Sequence, residues 1–171
     1  DSSNDLFLYC LWAESLGYYD KGLLQIPADA KILFTDGGAG KIDGLRPIAD
    51  GVYFLLQFLN GGGGQITEYV SPSRIFSQLS TYLRVARSAS VFLLNLSDLK
   101  PCVLGAAAAM QFVWSGNASA YLVPANDTGG GRAQTAFLQQ WAAQQFRSDN
   151  PALLNAIADL WSTYFNQTWI S

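Results

Sequence analysis

The segment 90–101, which reads Ser-Val-Phe-Leu-Leu-Asn-Leu-Ser-Asp-Leu-Lys-Pro, constrains the fold more than any other part of the chain. An apolar run of strand length ends in a polar stretch, and a proline then begins an alanine-rich helical segment. Strands with continuous apolar runs are typical of parallel sheets, which are buried on both faces. Ligands of such sheets sit beyond the carboxyl ends of the strands. The segment therefore predicts a βα unit whose loop carries function.

Two earlier segments have the same form. Residues 31–34 are a short apolar strand that is followed by Thr35, Asp36 and a glycine-rich loop. Residues 51–59 are a second apolar strand, and Asn60 and four glycines come after it. Because long connections separate these strands from each other and from the strand at 90–96, we predict that the three are parallel neighbours or near neighbours in one sheet. This order is typical of the α/β class.

Helical patterns surround these strands and complete the predicted organisation. Ser71 and Pro72 form a typical helix start, with serine as the N-cap, and another helix is expected to begin at Asn150 and Pro151. We predict βα units of a partial barrel over residues 1–115, a glycine-rich loop over 116–132 and a helical segment over 133–171. Three recognisable strands are too few to close a (β/α)8 TIM-type barrel. The chain is therefore either part of such a barrel followed by α-helices, or a small open α/β domain.

The residue types that are missing exclude several kinds of chemistry. The chain contains no histidine, which removes Ser-His and Cys-His catalysis and makes a zinc site unexpected. The glycine run at 61–64 lacks the Lys-Ser/Thr of a phosphate-binding loop, so we expect no nucleotide cofactor there. From these two absences we predict neither a metal nor a cofactor. Cys10 and Cys102 lie among apolar neighbours. They are either buried free thiols or a disulfide pair, and sequence alone leaves both open.

Charge and hydropathy limit the partners. A net charge of −3 without any Lys/Arg cluster argues against nucleic acid, and no apolar run reaches the ~20 residues that span a bilayer. The chain is 50% apolar and only 13% charged, so we expect the remainder of a larger parent chain to cover part of its surface.

Sequons for N-linked glycosylation are more frequent than chance predicts. With 8 asparagines and 22 serines and threonines among 171 residues, about one Asn-x-Ser/Thr is expected, and the chain has four. They begin at Asn95, Asn117, Asn126 and Asn166. The excess favours a secreted, extracellular glycoprotein of eukaryotic origin.

Carboxyl groups are the remaining candidates for catalysis. Glu14 and Glu68 are the two glutamates, and with Asp36 and Asp98 they lie in or near the predicted strand-end loops. Hydrolysis of a glycosidic bond uses two carboxyl groups and needs no histidine. The composition is therefore compatible with a glycosidase.

A family resemblance extends this interpretation. Five blocks occur in an order that resembles family 115 of the glycoside hydrolases, which are xylan α-1,2-glucuronidases. These blocks are Leu11-Trp12-Ala13-Glu14, Tyr18-Tyr19-Asp20, Ile32-Leu33-Phe34-Thr35-Asp36, Gly51-Val52-Tyr53 and the segment from Leu94 to Pro101. The resemblance implies a catalytic (β/α)8 barrel in a multidomain enzyme. It also implies that paired carboxyl groups hydrolyse (4-O-methyl)glucuronic acid side chains from an oligosaccharide or polysaccharide.

The resemblance also implies roles for individual residues. Glu14 and Asp36 match catalytic acids, and Asp98 and Lys100 match a strand-end motif that faces the same cleft, where a lysine suits a uronate. Asn60, at the end of another predicted strand, joins them as a substrate-binding candidate. Two carboxyl groups that act by inversion are about 6.5–9.5 Å apart, so Glu14 and Asp36 are expected to face one cleft.

Departures from the family pattern fall in the same loops. The family's Asp-Asn-Trp after Asp36 is replaced by residues 37–39, which read Gly-Gly-Ala, and its histidine and aspartate are absent from residues 54–62. Its Lys-Trp-Ile-Asn segment reads Thr-Glu-Tyr-Val at residues 67–70. The alternative hypothesis is therefore a non-catalytic carbohydrate-binding or structural relative. An active enzyme should recruit other polar or aromatic groups near 37–40 and 61–64.

Overall fold

The computed structural model describes residues 6–38, 40–57, 59–60, 63–64, 68–96, 102–127 and 130–168. These residues form a mixed α/β fold around a four-stranded sheet whose order is β1-β2-β3-β6. The strands are β1 (Leu8–Leu11), β2 (Lys31–Thr35), β3 (Gly51–Leu55) and β6 (Val91–Asn95), and every neighbouring pair is parallel. The predicted parallel arrangement of the three apolar strands is confirmed.

The sequence did not identify β1 as a strand. The pattern of residues 6–19 is compatible with a helix or with a mixture of strand and loop, and the structure places β1 and most of α1 (Glu14–Asp20) there. Four residues are too few to establish a period of two, and the helix begins only three residues after the strand ends. The connection between β2 and β3 also differs from a simple βα unit, because a bridge between Asp36 and Ile42 takes the place of a helix in its described part.

Four longer helices and a small hairpin complete the described fold. The helices are α2 (Pro72–Val85), α3 (Val103–Ser115), α4 (Gly131–Phe146) and α5 (Pro151–Thr168), with a 3-10 turn at Gly116–Ala118. The hairpin pairs β4 (Leu59–Asn60) with β5 (Gly63–Gly64). The helix starts at Ser71-Pro72 and at Pro151 are confirmed, and the Ser71 hydroxyl accepts a 3.3 Å bond from the Arg74 amide. None of the helices within the described ranges is long and apolar enough to cross a bilayer.

The core lies between one face of the sheet and the helices. Phe34 and Val52 pair in register and both join the buried cluster to which α2 and α3 contribute Phe76 and Phe112. Gly51 is required where β3 enters the sheet, since a Cβ there would lie 2.6 Å from the Val91 carbonyl oxygen. This burial holds the strands together. Because the strands are parallel, their carboxyl ends lie along one edge of the sheet.

The two cysteines are free thiols in the structure. Cys10 is half-buried in β1, where burial raises its pKa, and Cys102 is buried immediately before α3. Of the two alternatives that the sequence left open, the structure shows the unbonded one.

Asp50, immediately before β3, binds β2 and the segment after α2 through its carboxylate. Its carboxylate is 1% exposed and accepts bonds from the Ile32 amide at 3.1 Å, from the Ser88 hydroxyl at 3.1 Å and from the Arg87 guanidinium at 3.1 and 2.5 Å. Burial alone would raise the pKa of this carboxyl, but the bonds from Arg87, Ile32 and Ser88 outweigh burial and hold the pKa below its ordinary value.

We predict that Asp50→Asn lowers the free energy of unfolding by about 2 kcal/mol at neutral pH, because buried donors lose an ionised acceptor. Asp20→Asn is the matched control, since Asp20 pairs with Arg46 on the exposed surface and its loss should hardly change stability. Urea unfolding followed by circular dichroism measures both. The folded-state pKa of Asp50 is lowered, so its contribution is present above pH 4 and is lost as the pH falls below that value. Equal effects of the two substitutions would contradict the anchoring role.

Candidate active site

The carboxyl ends of the four parallel strands meet at one side of the sheet. Residues 12–14 follow β1, residues 36–38 follow β2, residues 56–57 follow β3, and Leu96 follows β6. We call this set the strand-end edge. Side chains from four separate stretches of sequence converge there, in the position where parallel sheets bind their ligands.

Asp36 occupies the centre of this edge and is buried. One carboxylate oxygen, Oδ1, accepts a 2.7 Å bond from the Gly38 amide, and Oδ2 accepts a 2.7 Å bond from the Leu55 amide. Its relative exposure is 0%. Burial, the largest cause, raises the pKa of this carboxyl to about 6, while the bonds from Leu55 and Gly38 act in the opposite direction. The group therefore ties the loop after β2 to the end of β3, and its catalytic role stays a prediction.

The loop that follows Asp36 is held by side chains from the region of α2. The Tyr69 hydroxyl donates to the Gly38 carbonyl, and the Arg74 Nε donates to the Gly40 carbonyl at 3.1 Å. The Gln78 amide oxygen accepts a 2.9 Å bond from the Ile42 amide. An aromatic and two polar side chains thus approach the loop at 37–42. These side chains bind the backbone of the loop, and the recruitment of replacement groups near 37–40 and 61–64 stays a prediction of the enzyme hypothesis.

Glu14 reaches the same edge from β1 and is exposed. It is the first residue of α1, and Ala13 before it has a positive φ of 42°, an uncommon conformation for a residue with a side chain. The Ser15 hydroxyl closes this turn, accepting a 2.7 Å bond from the Trp12 amide. A tight, locally strained turn therefore presents an accessible carboxylate, as turns at functional sites often do.

Three further side chains connect β1, β3 and β6 at this edge. The Trp12 and Tyr53 rings meet edge to face with centroids 5.9 Å apart, and the Asn95 amide nitrogen donates a 2.6 Å bond to the Tyr53 hydroxyl. The sequence analysis placed Trp12 and Tyr53 in blocks of the family resemblance and Asn95 in a sequon, but it assigned none of them to the site. The signal was that Tyr53 and Asn95 interrupt otherwise apolar strands. Aromatic surface with a few fixed polar groups beside an exposed acid is typical of a small-molecule site.

Glu68, which the sequence places in or near a strand-end loop, is another buried carboxyl, and its contact with α3 was not predicted. Its Oε1 accepts bonds from the Leu104 amide at 2.6 Å and the Gly105 amide at 3.0 Å, in the first turn of α3. Oε2 is buried and makes no hydrogen bond to the described residues. Burial raises the pKa of Glu68, and the two amide bonds oppose that effect. Cys102 provides no side-chain cap to α3, so Glu68 satisfies amides that would otherwise be orphaned.

The other candidates are placed only in part. Asn60 lies in β4 of the hairpin that follows β3, and Asp98 and Lys100 lie outside the described residues. The structure thus brings Glu14 and Asp36 to one edge and leaves the substrate-binding set as a prediction. Among the described residues, no three His, Cys, Asp or Glu side chains come close enough to hold a metal ion.

Comparison with known proteins identifies the family. The family model described as Glycosyl hydrolase family 115 matches residues 2–169. The chain belongs to glycosyl hydrolase family 115. No curated protein matches this GH115 chain.

A solved structure shares the fold of this GH115 chain. It is described as "a novel family GH115 4-O-Methyl-alpha-glucuronidase, BtGH115A, with specificity for decorated arabinogalactans". The TM-score is 0.62 at 21% sequence identity, and the similarity covers 80% of this chain. It covers 17% of the other chain, so the GH115 chain spans only a small part of that enzyme's length.

Asp36→Asn is predicted to flatten the dependence of stability on pH. The folded-state pKa of about 6 exceeds the ordinary 3.8, so the protonated group stabilises the fold below pH 4 and this contribution is lost as the pH rises through 6. The difference corresponds to roughly 3 kcal/mol. Unfolding in urea at pH 4 and at pH 7 measures it, and Asp159→Asn, at an exposed site on α5, is the control. An unchanged pH dependence in Asp36→Asn would show that the group is not buried as described.

Proposed function

We propose that this chain is part of a larger glycoside hydrolase and contributes the strand-end edge to its catalytic (β/α)8 barrel. In a doubly wound sheet the strand order reverses, whereas in a barrel it follows the chain. Here the order β1-β2-β3-β6 follows the chain without reversal. The observation that carries the proposal is that this order puts the exposed Glu14 and the Asp36 loop on one edge in a member of GH115.

The proposed substrate is a polysaccharide with (4-O-methyl)glucuronic acid side chains. The family resemblance favours xylan, and the related solved enzyme is described as specific for decorated arabinogalactans. A uronate is an anion, and Lys100 is the residue that we expect to favour it, together with Asp98 and Asn60 as hydroxyl-binding groups. The remainder of the parent chain would supply the other strands and the rest of the cleft.

The proposed mechanism is inverting hydrolysis with paired carboxyl groups. Glu14, which is exposed, would act as the base that activates water. Asp36 would act as the acid, because a pKa of about 6 keeps part of the group protonated near neutral pH. To reach a glycosidic oxygen, Asp36 has to give up one of its bonds to Gly38 or Leu55.

A second candidate function is non-catalytic binding of carbohydrate, or a structural role. One observation favours it: both oxygens of Asp36 are engaged by backbone amides and neither is accessible. In that case the aromatic pair of Trp12 and Tyr53 and the exposed Glu14 would bind a sugar without hydrolysing it.

The proposed place of action is extracellular. Polysaccharide substrates of plant cell walls lie outside the cell that degrades them, and the fourfold occurrence of sequons favours secretion by a eukaryotic route. That route would make the protein a glycoprotein.

We expect Glu14→Gln in the full-length parent protein to abolish release of glucuronic acid while binding of the oligosaccharide survives. The amide keeps the shape of the side chain and removes the base. Chromatography of released uronic acid measures turnover, and calorimetry measures binding. Asp159→Asn, at an exposed position of α5, is the matched control and should keep full activity.

Two results would change this assignment. Unchanged turnover in Glu14→Gln would remove Glu14 from the mechanism. Absence of turnover in the unmodified parent, together with measurable sugar binding, would favour the non-catalytic alternative.

A further inference from the structure

The sequons differ in how the fold presents their asparagines. N-linked glycans are large and hydrophilic, so an occupied asparagine has to be at the surface of the folded protein. The side chain of Asn117 lies outside the described residues. For Asn95, Asn126 and Asn166, exposure and the existing bonds of the side chain separate sequons that the fold accepts from those that it rejects.

Asn126 satisfies this condition. It is exposed in the segment between the 3-10 turn and α4. The Asp127 amide donates a 2.9 Å bond to the Pro124 carbonyl, and the Asp127 carboxylate accepts a 3.1 Å bond from the Gly130 amide. Asn126 borders a concave surface that includes Gly131.

Asn166 is also exposed, on the last turns of α5. Its neighbour Phe165 is 2% exposed and packs into the core, so α5 stays attached while the face that carries Asn166 is in solvent. The hydroxyl of Thr168, the third residue of the sequon, donates a 3.0 Å bond to the Tyr164 carbonyl within the same helix.

Asn95 does not satisfy the condition. It is half-buried in β6, pairs in register with Leu55, and its side-chain nitrogen donates a 2.6 Å bond to the Tyr53 hydroxyl. A glycan would replace one of the two hydrogens on this nitrogen and would have to occupy the sheet face where Trp12 and Tyr53 pack.

We propose that Asn126 and Asn166 carry N-linked glycans and that Asn95 does not. In the transfer, the asparagine Nδ2 forms a bond to the anomeric carbon of an oligosaccharide pyrophosphate. The bond from that carbon to the phosphate oxygen breaks, the pyrophosphate leaves with the electron pair, and Nδ2 loses one proton to a base of the transferring enzyme. The proposal rests on the eukaryotic secretion that forms part of the proposed function, but it does not depend on catalysis.

The test uses the full-length parent protein secreted from a eukaryotic host. Peptide-N-glycosidase treatment in H2 18O converts each glycosylated asparagine to 18O-labelled aspartate, and peptide mass spectrometry locates the label. We expect label at positions 126 and 166 and none at 95. Asn126→Gln and Asn166→Gln should each remove one glycan, which is seen as an increase in the electrophoretic mobility of the protein. Asn155→Gln, at an exposed asparagine of α5 outside any sequon, should remove none.

A missing label at Asn126 or at Asn166, or a label at Asn95, would overturn the proposal. Its failure is distinct from failure of the proposed activity. A glycosylated parent without uronic acid release would contradict only the enzyme assignment, and an active parent without these glycans would contradict only this inference.

Discussion

Asp36 joins the ends of the two central strands through hydrogen bonds of 2.7 Å to the Gly38 and Leu55 amides, at a point with no accessible surface. A carboxylate removed from water is costly unless donors replace its hydration, and here two backbone amides do so. Because β2 and β3 lie at the centre of the sheet, this contact fixes how their following loops emerge. The positions of residues 36–38 and 56–57 at the strand-end edge depend on it.

The acids of the described chain divide into two kinds. Asp36, Glu68 and Asp50 are buried and satisfy backbone amides at the ends of strands or at the start of α3. Glu14, Asp43 and Asp159 are exposed; Glu14 lies at the strand-end edge, and the Asp43 carboxylate lies next to that edge, 2.9 Å from where a Cβ on Gly37 would be. Carboxyl groups thus serve both as structural hydrogen-bond acceptors and as candidate catalytic groups, and burial distinguishes the two roles. Asp36 fits both roles, because its raised pKa suits a general acid while its bonds to backbone amides suit a structural role.

The elements that the sequence predicted well are those with a strong local signal. The continuous apolar runs at 31–34 and 90–96 predicted parallel strands, and Ser71-Pro72 predicted the start of α2, because both signals are contained within a few neighbouring residues. β1 was ambiguous because four residues carry little periodicity. For the site, the sequence predicted only that candidate residues follow the carboxyl ends of parallel strands, and not the contacts that these residues make. Glu68 contacts the start of α3 from 36 residues away in sequence, and neither this contact nor the burial of Asp36 has a local signature.

The central claim is that sugar binds at the strand-end edge, next to Glu14. A crystal structure of the full-length parent protein with a bound oligosaccharide that carries a glucuronic acid side chain tests this most directly. The account predicts that the uronic acid lies within hydrogen-bond distance of Glu14 and that Asp36 has exchanged one of its backbone bonds for the sugar. A sugar bound elsewhere, or another part of the parent chain packed over the strand-end edge, would contradict it.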